Sequence, residues 1–342
     1  MTRIEITTGS RLHFGLICSS PSAAWRFGGI GVMLREPGWQ LSVDMASSND
    51  DVISASPAVE MRIQEFLRRI RTTLHVAALR IDVSGRFPFH TGLGGGTQLG
   101  LALAAAIELM HFRRLSDDPF QLARLLDRAE RSAVGTVGFA KGGFLIDHGE
   151  PVAGDQTAAA EEPTPASLIR LVDRIPFPED WRFVLARPAN SQGLSGTQEQ
   201  SFFSRCVNMP DDLVANLEQQ ILARIAPAII GRQFDLFALS LEQYGQTVGR
   251  FYATEQGGVF SHPAMTQLAA QLRSEGISGM AQSSWGPLIG IPAESLEMAN
   301  AIMRLIPDSI QGSPLTLHVS EPLNTGATIR STVDDSVASR RL

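Results

Sequence analysis

Arg86-Phe-Pro-Phe-His-Thr-Gly-Leu-Gly-Gly-Gly-Thr-Gln-Leu-Gly-Leu-Ala-Leu-Ala-Ala-Ala106 decides how this chain is read. The stretch predicts a strand ending near Phe87, a turn through residues 92–96, and an apolar, alanine-rich helix running to about Phe112. Thr97 is placed as the N-cap of that helix. A glycine turn that opens a helix presents unpaired backbone N–H groups and the positive end of the helix dipole, a combination that holds a phosphate. The plainer alternative is a flexible turn before a core helix. Three consecutive glycines cost backbone entropy, which calls for a compensating role, and the lack of a Cβ lets an anion approach the main chain closely. The stretch lacks the Gly-Lys-Ser/Thr of a Walker loop, and no acidic residue follows it in a βαβ context, so neither nucleotide fingerprint applies.

The chain has 342 residues, long enough for two units with separate cores. Hydrophobic residues make up 44% and charged residues 19%, an ordinary globular balance. The net charge of −6 and the absence of a basic run exclude a nucleic-acid partner. Local donors must therefore meet any anionic substrate. Cys18 and Cys206 suggest neither a disulfide framework nor a zinc site and read as buried thiols. The opening Met-Thr-Arg-Ile-Glu-Ile reads as a strand and no apolar run reaches membrane-spanning length, so a cytoplasmic protein without membrane contact is expected. Lys141 is the sole lysine, which excludes any scheme needing two.

Strands are expected at 4–8, 41–44, 79–83, 143–147, 181–186 and 315–320. Helices are expected at 59–74, 120–130, 211–225, 233–251, 262–274 and 293–305. Ile63, Phe66, Leu67, Ile70 and Leu74 keep helical spacing, and Arg62, Arg68, Arg69 and Arg71 read as the solvated face of the same helix. Residues 131–142 read as a turn-rich segment, and 152–165 and 192–200 as exposed loops. The first unit is expected over 1–189, the second over 190–325, and a mobile tail over 326–342. Mixed strands and helices in both halves imply α+β.

Four motifs occur in order: Arg11-Leu-His-Phe-Gly15, the glycine turn, Gly135-Thr-Val-Gly-Phe-Ala-Lys-Gly-Gly143 and Gln282-Ser-Ser-Trp-Gly-Pro287. Pro88-x-x-x-Gly92-Leu93-Gly94 resembles the phosphate loop of the GHMP superfamily, Pro-x-x-x-Gly-Leu-Gly-Ser-Ser-Ala. The first and third motifs resemble one branch, the β-ribofuranosylaminobenzene 5′-phosphate synthases. Arg131-Ser-x-x-Gly followed by Gly-Phe-x-x-Gly-Gly-Phe-x-x-Asp carries most of that likeness. The resemblance implies a ribosomal protein S5 domain 2-like first domain and a ferredoxin-like second domain. It implies that phosphoribosyl pyrophosphate (PRPP), with Mg²⁺, is joined to 4-aminobenzoate or 4-hydroxybenzoate. CO₂ and pyrophosphate leave and a C-glycoside forms, an early step of tetrahydromethanopterin synthesis. A homodimer is common on this scaffold.

The chain departs from the superfamily's kinases at two points. Gly95 and Gly96 stand where kinases carry serines, and Val137-Gly-Phe-Ala140 offers no catalytic aspartate. Asp147 is the nearest carboxylate and reads equally as a turn cap.

Candidate residues follow from the chemistry. Departing pyrophosphate leaves an electron-poor ribose carbon, so the site must stabilise the leaving charge and align the ring. Amides at Gly92, Gly94, Gly95 and Gly96, with Thr97 and Gln98, are candidates for one phosphate. Arg11 and His13, two apart on a strand and so on one face, are placed near benzoate or pyrophosphate. A strand-edge salt bridge and a satisfied core histidine are their plain alternatives. Arg26 and Lys141 are candidates for phosphate charge, against simple surface roles. Ser283 and Ser284 are candidates for phosphate, and Trp285 for stacking on the aromatic acid, against a core tryptophan beside turn serines. Ser195 and Thr197 read equally as loop residues. Two other functions stay open: an ATP-dependent small-molecule kinase, and a non-catalytic binding protein on the same fold.

Overall fold

The structure, a computed structural model, describes residues 2–18, 25–85, 87, 91–126, 132–151, 170–191, 208–333 and 336–341. The first half contains β1 (Arg3–Thr7), β2 (Ser10–Ile17), β3 (Trp25–Arg26), β4 (Gly28–Leu34), β5 (Gln40–Met45), β6 (Val52–Ser54), α1 (Pro57–Thr73) and β7 (Leu79–Ser84). Then come α2 (Gly95–Phe112), α3 (Pro119–Arg124), α4 (Val134–Lys141), β8 (Phe144–Asp147), β9 (Glu150–Pro151), β10 (Val172–Ile175) and β11 (Arg182–Pro188). The second half adds β12 (Ala281–Gln282), β13 (Ile289–Ala293), β14 (Ser309–Ile310), β15 (Ser313–Ser320), β16 (Thr328–Val333) and β17 (Ser336–Arg341), with helices between them.

Three main sheets result. A six-stranded sheet has the order β17-β16-β1-β5-β7-β6, a four-stranded sheet β10-β8-β4-β2, and a five-stranded sheet β12-β13-β11-β15-β14. In β1, Ile4 and Ile6 turn inward while Arg3, Glu5 and Thr7 face out, the alternation of a half-buried strand. α2 is apolar all round and buried from 98 to 108, as a helix without a polar face must be. It lies against β1, β5, α1 and α4. α1 starts after Ser56 with proline in its first turn and buries Val59, Ile63, Phe66, Leu67 and Ile70, the stripe expected from spacing.

The α+β reading holds, with several corrections. β7 ends at Ser84, short of Phe87. α2 begins at Gly95 with Gly94 as its left-handed cap (φ 74°), so Thr97 lies inside the first turn. Residues 134–141, read as turns, are helical. α3 stops at Arg124, short of the expected 120–130 helix, whose last residues lie outside the described ones. β11, expected to complete the first unit, is the centre of the five-stranded sheet, between β13 and β15. The tail expected to be mobile from 326 contains β16, which pairs with β1 and returns the chain to the first sheet. The loops read at 152–165 and 192–200, with Ser195, Thr197, Cys206, Pro88 and Arg131, lie outside the described residues. Cys18 is buried, with its Sγ 3.9 Å from Asn208 Oδ1. Among the described residues no helix is long and apolar enough to cross a membrane.

Candidate active site

The site grows from β2. Leu12 and Phe14 turn to the second half of the molecule, where the Phe14 ring lies 6.0 Å from Phe183. Arg11 and His13 occupy the opposite face, as their two-residue spacing predicts. Glycines on β4 make room there. A Cβ on Gly29 would stand 3.3 Å from His13 Nε2, and one on Gly31 would stand 2.6 Å from Val134 Cγ1 of α4.

The glycine turn docks on this face. Arg11 N–H donates to the Leu93 carbonyl at 2.9 Å, and Arg11 Nη1 donates to the Gly92 carbonyl at 3.2 Å. Ser283 Oγ accepts the His13 N–H at 3.0 Å and donates to the Gly92 carbonyl at 2.7 Å. Ser284 N–H donates to the His13 carbonyl at 2.7 Å. Gly92 has φ 92° and lies so close to Ser283 that a Cβ would meet its carbonyl oxygen at 2.2 Å. The first, second and fourth motifs are thus one hydrogen-bonded junction.

Gln98 N–H makes the first turn of α2 by donating to the Gly94 carbonyl at 3.0 Å. The amides of residues 95–97 precede that bond and face out of the helix end. Gln98 Nε2 donates to the Gly135 carbonyl at 2.8 Å and fastens α2 to α4. Phe87 and Trp39, stacked with centroids 5.3 Å apart, form the floor, and Trp39 Nε1 donates to the Gly95 carbonyl at 2.9 Å.

His13 is buried, and its Nε2 has no hydrogen-bond partner among the described residues. Burial, then the charges of Arg11 and Arg170, hold its pKa well below the ordinary histidine value. The imidazole is therefore neutral at neutral pH and offers a lone pair or one N–H.

Arg170 was not legible as a site residue. It reaches Asp147 at 2.9 Å through Nε and 2.7 Å through Nη2, and Nη2 also donates to the Phe27 carbonyl at 3.1 Å. The Asp147 carboxylate further accepts N–H bonds from Ala133 at 2.7 Å and Gly149 at 3.1 Å. Asp147 thus caps the entry to α4 and fixes the turn after β8. No spacing rule links 147 to 170; the β8–β10 register brings them together.

A family model described as "GHMP kinases N terminal domain" matches residues 61–143. The β-ribofuranosylphenol 5′-phosphate synthase of Methanothermobacter thermautotrophicus is 28% identical over 83% of this chain and 87% of its own. The protein of that name from Methanocaldococcus jannaschii is 28% identical over 68% of this chain and 74% of its own. The backbone follows mevalonate diphosphate decarboxylase from Staphylococcus aureus with a TM-score of 0.65 at 14% identity, covering 96% of this chain and 98% of that one. Homoserine kinase from Cytophaga hutchinsonii gives 0.60 at 13% identity, with 96% and 97% covered. Residues 61–143 thus resemble a GHMP kinase N-terminal domain, and the backbone has the fold of these solved structures along most of its length.

Beside the GHMP phosphate loop, the missing serine at 95 now has a physical reason; the one at 96 does not. A Cβ on Gly95 would stand 2.4 Å from the Phe87 ring, so that ring fills the space a serine needs. The remaining candidates separate. Thr97 packs toward Gly135, with its Cγ2 3.4 Å from where a Cβ there would lie. Ser283, fully buried, has its hydroxyl committed to His13 and Gly92, so it serves as a joint and is not free for phosphate. Ser284 is held in a left-handed turn at φ 56°. Trp285 is buried edge-on against Tyr252 at 4.9 Å, in a core position. Arg26 lies over the Phe27 ring at 4.9 Å, on the short β3–β9 ribbon. Lys141 is exposed at the far end of α4 from Gly135, beside Arg174, and does not join the junction.

Among the described residues no group of three His, Cys, Asp or Glu side chains could hold a metal ion. With Asp147 engaged by four donors, these residues do not form a Mg²⁺ cage.

Proposed function

We propose that this protein is a decarboxylating phosphoribosyl transferase. It condenses PRPP with 4-hydroxybenzoate or 4-aminobenzoate to a β-ribofuranosyl-arene 5′-phosphate, with loss of pyrophosphate and CO₂, in tetrahydromethanopterin synthesis. The observation that supports this reading is the junction in which Arg11 donates to Gly92 and His13 N–H donates to Ser283, beside a glycine turn where the Phe87 ring occupies the space a side chain at 95 would need. The names of the sequence relatives support it, and their phenol favours 4-hydroxybenzoate. The engagement of Asp147 by four donors also removes the nearest carboxylate from service as a kinase base.

In this reaction the ribose C1–O bond to pyrophosphate breaks as the ring carbon bearing the carboxylate attacks C1. The C–CO₂ bond then breaks and its electron pair restores the aromatic ring, so no net proton is exchanged. The amides of 94–97 hold a phosphate at the positive end of α2. Arg11 balances anionic charge beside them, and the neutral His13 accepts a hydrogen bond from the 4-hydroxyl or 4-amino group. Mg²⁺ belongs to this reading as a counter-ion carried by the pyrophosphate, which needs few protein ligands. The enzyme is proposed to be a cytoplasmic homodimer, which sedimentation of the purified protein checks.

Incubation with PRPP, Mg²⁺ and each benzoate should release CO₂ and pyrophosphate in equal amounts. No release with either acid would overturn the assignment.

A further inference from the structure

We propose that Arg62 is a phosphate-binding residue that closes the cradle at the start of α2. By sequence this arginine belongs to the solvated face of α1. In the fold it stands at the open side of the glycine turn. Among the described residues beyond its own helix and chain neighbours, a Cβ placed on Gly96 would meet within 4 Å only Arg62 Nη2 at 3.7 Å and Nε at 3.8 Å.

The side chain is held ready. Its plane lies over the Phe66 ring at 5.1 Å, and Nη1 donates to Glu65 at 2.6 Å. Nη2 and Nε, the two atoms nearest Gly96, make no hydrogen bond among the described residues. Glu65 is shared with Arg69, whose Nη2 reaches it at 2.8 Å. One carboxylate between two guanidinium groups leaves a net positive charge on this stretch of α1. A phosphate over residues 95–97 would meet helix amides on one side and two unspent guanidinium N–H groups on the other, the fork geometry that suits phosphate oxygens.

The same turn holds a second polar side chain, on the side of α2 that faces α4. Gln98 is fully buried, anchors its Nε2 on Gly135, and leaves Oε1 without a hydrogen-bond partner among the described residues. The identity of the sugar phosphate rests on the function proposed above; the anion site does not.

The test is calorimetric binding of PRPP and, separately, of inorganic pyrophosphate to the full chain. Arg62→Ala should weaken both about tenfold, the scale of one charge-assisted contact. Arg62→Lys, which keeps charge but loses the fork, should fall between. The KM for the benzoate should not move. Gly96→Ala should bind both more weakly while melting no lower than the native chain, because alanine is the better helix former and its methyl fits in ordinary contact with Arg62. Arg68→Ala, exposed on the same helix, should bind as the native chain does. Native-like pyrophosphate binding by Arg62→Ala would overturn the proposal, as would a native chain that binds neither ligand. A native chain that binds pyrophosphate but not PRPP, with binding lost in Arg62→Ala, would uphold Arg62 and remove PRPP as the substrate.

Discussion

Gly95 and Phe87 set the character of the glycine turn between them. The ring stacks on Trp39 and lies where any side chain at 95 would begin. Gly95→Ser should therefore destabilise the protein by about 1–3 kcal/mol through overpacking. With Phe87→Ala in the same chain the two costs should not add, and urea unfolding should show coupling of at least about 1 kcal/mol. Additive costs would mean that the ring does not guard the position. His13 gives a pH signature. Its folded pKa is lowered by burial and by Arg11 and Arg170. Between that lowered value and about 6.5, the unfolded chain binds a proton that the folded chain refuses. The stability from keeping the imidazole neutral is full above about pH 6.5 and is lost progressively as pH falls toward the lowered folded value, by at most about 1.4 kcal/mol per unit. Urea unfolding at pH 7.5 and 5.5 should show a shallower fall in His13→Asn than in the native chain. Equal slopes would show that the imidazole is not held neutral.

Among the elements, α4 shows how glycines mislead a reading by turn chemistry. A Cβ on Gly138 would stand 2.3 Å from Met33 Sδ, so glycine here admits the neighbouring strand and does not break the helix. The entry to α4 depends on the Asp147–Arg170 pair, whose side chains are 0% and 7% exposed. Asp147→Ala would remove the buried carboxylate to which two Arg170 nitrogens and two backbone N–H groups donate, and should cost about 3–5 kcal/mol in chemical unfolding. A loss under about 1 kcal/mol would show that the pair is not buried in solution. β16 is the other element read wrongly, since its polar composition hides Ile329, which is 4% exposed against the first sheet. Ile329→Ala should cost about 2–4 kcal/mol. A mobile tail would lose nothing measurable.

At the scale of the molecule, the site exists because three distant segments meet. β2 supplies Arg11 and His13, the α2 entry supplies the amides, and the turn between β12 and β13 supplies Ser283 as the joint. A ligand seated there must stabilise the whole fold by mass action, about 2.7 kcal/mol at a hundred times its Kd. Thermal unfolding should therefore rise with PRPP and not with ATP; a rise with ATP alone would restore the kinase reading. The sequence by itself determined the α+β class, most helices from their apolar stripes, the glycine turn at a helix start, and the shared face of Arg11 and His13. These follow from short-range rules of period, capping and backbone freedom. Only the tertiary structure decided that Ser283 is a joint, that Asp147 is spent on Arg170, that Lys141 lies away from the junction, and that Arg62 reaches Gly96. Those facts depend on sheet register and helix packing between residues far apart in the chain, and no local periodicity encodes which distant partner a side chain meets.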